Sequence, residues 1–164
     1  MKLQIKIKKE HNKPSTLSCT REDGSITYAK LQVDFEIHDI AHYVVEQQLQ
    51  LKNAFYGLLC QGYQINDFML PKKERPEALQ PENLPPESLA TEHLVNLLTI
   101  DFVQSENQME VSKTLENILS ENRLAFPENP THEKVHSMQN ELVVLMAEWN
   151  SLPYNRTLDM NFEL

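Results

Sequence analysis

Two short stretches at opposite ends of the chain constrain its fold more than anything between them. Residues 2–8 run Lys-Leu-Gln-Ile-Lys-Ile-Lys, and residues 158–164 run Leu-Asp-Met-Asn-Phe-Glu-Leu. Successive side chains of an extended strand point to opposite faces, so each stretch reads as a strand with one apolar and one polar face. A lone strand cannot bury such a face. The C-terminal stretch is therefore expected to pair into the N-terminal sheet, with Leu158, Met160, Phe162 and Leu164 inward. A chain of 164 residues closed on itself in this way reads as one domain.

Between the ends, residues 16–20 read as a second strand, and Asp23-Gly24 supplies the pair favoured in tight hairpin turns. A third strand is expected over residues 25–35, with Ile26 and Tyr28 inward, then Leu31, Val33 and Phe35. That pattern slips by one residue near Ala29-Lys30, which predicts a bulge there. Helices are expected from about residue 37 to Leu49, over 52–61, 87–104, 108–123 and 131–150, with Thr131 capping the last. Gly57 inside the second of these predicts close packing against a neighbour, and Gly62 is placed to end it. Five prolines between residues 71 and 86 leave no periodicity, so this stretch reads as a long loop. It is either a plain surface connection or a lid or partner-binding arm. The expected fold class is α+β: an antiparallel sheet of about four strands, the C-terminal strand included, with about five helices packed on one face.

Charge and composition narrow the function. A net charge of -9 with no basic stretch argues against a nucleic-acid partner. No apolar run approaches the roughly 18 residues that a membrane span needs, and the N-terminus lacks the apolar block of a secretory signal. Cys19 and Cys60 have no metal or redox spacing and read as buried thiols, which points to a reducing cytoplasm. With glycine only at positions 24, 57 and 62 there is no phosphate-cradling loop, and no serine sits in a nucleophile elbow.

The stretch that carries chemistry is Ile37-His38-Asp39-Ile40-Ala41-His42-Tyr43-Val44-Val45-Glu46. On a helix, His38, His42, Glu46 and Asp39 fall at about 0°, 40°, 80° and 100° around the axis. Ile37, Ile40, Ala41 and Val44 occupy the other side, and the polar stripe contains no Lys or Arg. Two imidazoles one helical turn apart can share a divalent ion, zinc being the first expectation, with Glu46 as a further ligand. Asp39 and Glu46 are the acids available for proton transfer. Glu46 lies about 12 Å along the axis from His38, so a closed site needs a ligand from elsewhere, and His93 on a later helix is one candidate. The competing explanation is structural: acids near a helix start are favourable in themselves, and the histidines bond to backbone or solvent.

His132-Glu133-Lys134-Val135-His136 matches His-Glu-x-x-His literally, but it opens a polar helix after Pro130-Thr131 and contains a lysine. A polar helix start explains it better than a protease site does.

The run from His38 to Glu46, followed by Phe55-Tyr56-Gly57-Leu58 and Gly62, resembles a small, uncharacterised bacterial protein family with a His-Asp-x-x-His-x-x-x-Glu helix signature. The likeness covers roughly residues 17–62 and implies that His38, Asp39, His42 and Glu46 act as a unit, without implying an activity. Two expectations stand side by side. One is a cytoplasmic protein with a divalent-metal site on the first helix, acting as a hydrolase on a small molecule. The other is a non-catalytic interaction or structural protein, with a protein partner or a second copy of itself, whose stripe holds a structural junction.

Overall fold

The computed structural model describes residues 1–104 and 110–164. Its sheet has four antiparallel strands: β1 (Lys2–Lys8), β2 (Thr16–Arg21), β3 (Ile26–Lys30) and β4 (Thr157–Glu163), in the order β3-β2-β1-β4. The two alternating ends of the chain are direct neighbours. Ile5 faces Met160 and Ile7 faces Leu158 across β1 and β4, while Cys19 and Leu17 face the same two isoleucines from β2. Leu3, Ile5, Ile7, Leu158, Met160 and Phe162 are all buried beneath the helices. The opposite face carries Lys2–Glu163 at 3.0 Å and Lys6–Asp159 at 3.3 Å. These pairs sit directly across the ladder but in water, so they favour the register more than the stability.

The third strand departs from the sequence expectation. Its inward residues are Thr27, Ala29 and Leu31, whereas Ile26, Tyr28 and Val33 are exposed. Pairing of Cys19 with Thr27 and of Leu17 with Ala29 sets this phase. It runs unbroken, so the ladder needs no bulge near Ala29-Lys30, and the strand ends at Lys30 rather than Phe35.

Among the described residues the helices are α1 (Glu36–Leu49), α2 (Phe55–Cys60), α3 (Ile65–Met69), α4 (Pro86–Val103), α5 (Val111–Asn122) and α6 (His132–Ser151). The expected start of the fourth predicted helix at residue 108 lies outside the described residues. Thr131 caps α6 as expected, its hydroxyl accepting from the Lys134 N–H at 3.2 Å. α1 is the hub, packed against β4, α2, α4 and α6.

α2 is shorter than expected because the chain from Gln50 to Ala54 turns back sharply. Gln50 adopts a left-handed φ of 54° and ends α1. Gly57 must then pass the backbone of Leu51 and Lys52, and a Cβ there would stand 2.6 Å from the Leu51 carbonyl oxygen. Only glycine fits that approach.

The proline-rich stretch is a loop with two short 3₁₀ turns, Lys72–Glu74 and Glu77–Leu79, and Leu79 pins it to the body with its side chain fully buried. Among the described residues, no helix is long and apolar enough to cross a membrane.

Candidate metal centre

Because α1 has neighbours on both sides, its polar stripe is not a solvated face. Asp39 is 6% exposed, His42 2% and Glu46 0%. Polar groups at such depth are retained only where partners satisfy them or where they serve a ligand.

Glu46 is fully satisfied. Its Oε2 accepts the backbone N–H groups of Tyr56 at 2.8 Å and Gly57 at 3.1 Å, the first turn of α2. Its Oε1 lies 3.0 Å from Nδ1 of His42. A helix start with free N–H groups favours an anion, so the carboxylate bridges α1 to α2 and orients the imidazole. With Glu46 accepting, Nδ1 of His42 carries a proton, an assignment that follows from its partner. Nε2 of His42 then faces the other way, 3.3 Å from Oε1 of Glu92 on α4. Nε2 of His38 stands 3.7 Å from the second oxygen of Glu92, and its ring centroid is 4.7 Å from that of His42. One ligand atom from each of His38, His42 and Glu92 falls within 4.8 Å of the others, so this group could hold a metal ion.

Two orphaned atoms accompany the group. Nδ1 of His38 and Oδ2 of Asp39 are buried without a hydrogen-bond partner among the described residues. Burial pushes the Asp39 carboxyl up to about 7, with His42 opposing and Glu36 and Glu92 adding to the rise. Burial also works against a charge on His42, yet Glu46 and Glu92 on its two nitrogens outweigh it and hold the ring at about 10. Glu92 is half-exposed, and the facing histidines hold its carboxyl well below the usual range despite partial burial.

The site opens on a cavity of about 620 Å³, whose lining includes His38, Asp39, His42 and Glu92 beside Phe35, Phe55 and Phe68. This size is ordinary for a small-molecule pocket, roughly 300–1,000 Å³.

Of the residues expected from sequence, His38 and His42 meet as one ligand pair. Asp39 reaches the same cavity without joining that pair. Glu46 is placed differently from its expected role as a ligand: two backbone N–H groups and Nδ1 of His42 occupy it, on the side of the ring away from His38 and Glu92. The carboxylate that meets both histidines is Glu92, the residue beside the candidate His93. His93 is not in the cavity lining, and His132, Glu133 and His136 are exposed at the start of α6. Glu92 carried no local signal, because α4 also holds Glu87, His93, Asn96 and Asp101 and one more acid on it does not stand out. Nothing in its spacing from α1 says that α4 lies alongside. In the comparisons with known proteins, no family model, no curated protein and no solved structure matches this chain.

Proposed function

We propose that the protein binds one divalent metal ion, zinc in the first place, through His38, His42 and Glu92, and hydrolyses a small molecule in the adjoining cavity. The observation that carries this reading is the convergence of two imidazole nitrogens and a carboxylate on a cavity wall, with Glu46 behind His42. A carboxylate accepting from the far nitrogen of a ligating histidine fixes the ring's orientation and raises its basicity. Two histidines and one carboxylate form a donor set that suits zinc with a position left open. Such an ion, when bound, would lower the pKa of water to near 7. Asp39 is the acid available to accept a proton: it lines the cavity, Oδ2 has no protein partner among the described residues, and burial holds its carboxyl at about 7 in the metal-free protein. A base is most effective when its pKa lies near the working pH.

One observation favours a second reading. His42 between Glu46 and Glu92 is also an ion network, buried at His42 and Glu46, which ties α1 to α2 and α4 with no metal at all. That arrangement suits the interaction-protein alternative.

The two readings separate on activity. Protein stripped with a chelator and reloaded with zinc is assayed on a panel of activated esters and amides. The hydrolase reading expects turnover that needs zinc, and an Asp39→Asn variant that keeps its zinc but loses about 10²-fold or more in rate. No turnover on the panel, or turnover indifferent to zinc and to Asp39→Asn, would favour the structural junction.

A further inference from the structure

The same cavity has a second chemical feature, away from α1. Arg75, in the proline-rich loop, lines it and is half-buried. Its Nε donates to the Leu70 carbonyl at 3.0 Å, which fixes the stem of the guanidinium. Among the described residues no carboxylate pairs with it, whereas Lys30, the lysine of the lining, is engaged by Thr16 at 2.6 Å and Glu10 at 3.4 Å. Arginine offers five donors in a rigid fork that matches a carboxylate with two parallel bonds. A half-buried guanidinium left without an acid, facing a largely apolar space, is therefore a ready anion site.

The remaining lining restricts what carries the anion. Phe35, Phe68, Met69, Leu84 and Leu89 are apolar, and the Ser88 hydroxyl is spent on the Asn53 carbonyl at 2.6 Å. A nucleotide needs a backbone cradle for its phosphates, and none of Gly24, Gly57 and Gly62 lines the cavity. An apolar body with one anionic group satisfies both the walls and the arginine.

We infer that the cavity binds a small apolar carboxylate, its anionic group paired with Arg75 and its body among Phe35, Phe68 and Leu84. The inference rests on the metal-site reading for the ligand's reactive end, which would face His38, His42 and Glu92. It also gives the proline-rich loop a role, since Arg75 is that loop's contribution to the site.

The test uses 4-phenylbutanoate and its uncharged amide as probes, titrated by calorimetry into the full chain, both zinc-loaded and chelated. The acid is expected to bind about tenfold more tightly than the amide in either state, the order expected for one charge-assisted contact. Arg75→Gln should bring the ratio close to one, and Arg75→Lys should restore part of it. Equal binding of acid and amide, a preference that survives Arg75→Gln, or no binding of either probe would overturn the inference. A preference present only with zinc would mean that the carboxylate sits on the metal, which overturns the role of Arg75 while supporting the metal site. A preference that persists in a chain which never takes up zinc would instead sustain the Arg75 pairing and defeat the metal reading.

Discussion

Glu46 shows how much one buried side chain can organise. Its carboxylate takes two backbone N–H groups from α2 and orients His42, and no water replaces those partners at zero exposure. Glu46→Gln keeps the size but turns an acceptor into a partial donor that faces N–H groups. We expect a loss of about 3 kcal/mol, measured by denaturant unfolding. Any zinc affinity should fall by about 10–100-fold rather than vanish, because His38, His42 and Glu92 remain. Loss of stability without a change in zinc affinity would limit Glu46 to a structural role. Asp39 makes a separate prediction in metal-free protein. Its carboxyl moves from 3.8 to about 7 on folding, so between those values the folded state holds more proton than the unfolded one. Stability from this group is fully present below pH 4 and declines as pH rises to about 7, by roughly 4 kcal/mol. His42, raised from 6.5 to about 10, contributes stability that is lost only above pH 6.5, so the two windows can be told apart. Asp39→Asn should flatten the stability profile between pH 4 and 6.5. An unchanged slope would show that Asp39 does not titrate in that range.

The terminal strand and the glycine turn carry the predictions at the level of elements. Removing residues 157–164 takes Leu158, Met160 and Phe162 from the core and strips β1 of one of its two neighbours. The truncated chain should lose its cooperative thermal transition in circular dichroism, and a melt like that of the intact chain would contradict the topology. Gly57→Ala drives a Cβ into the carbonyls of Leu51 and Lys52, so the turn that delivers α2 to Glu46 must shift. A loss of about 2–4 kcal/mol in unfolding free energy is expected, against the modest gain that Gly to Ala gives in an open helix. These elements were legible because each rests on a local pattern: alternation for β1 and β4, helical spacing for α1 and α4 to α6, and Thr131 at a helix start. The phase of β3 was not legible, because it depends on which residue of β2 lies opposite. Cys19 against Thr27 decides it, and that pairing is a fact about the sheet rather than the segment. The same holds for Leu79, whose burial anchors a loop that shows no periodicity at all.

Across the whole molecule, the candidate site is assembled from three separate parts of the chain. α1 supplies His38, Asp39, His42 and Glu46, α4 supplies Glu92, and the proline-rich loop supplies Arg75. The α1 contribution could be read from helical spacing alone. Glu92 and Arg75 could not, since they reach the cavity only through the packing of α4 on α1 and the path of the loop. The literal His-Glu-x-x-His match at residues 132–136 misleads for the converse reason: its spacing is right, but it lies on an exposed helix start. The central claim is that His38, His42 and Glu92 bind a metal ion, and zinc stoichiometry tests it most directly. Elemental analysis after equilibration with zinc and gel filtration should find about one ion per chain in the wild type and in His136→Ala, but little in His42→Ala or Glu92→Gln, with all four proteins folded by circular dichroism. A wild type without zinc, or His42→Ala and Glu92→Gln variants that retain it in full, would contradict the account.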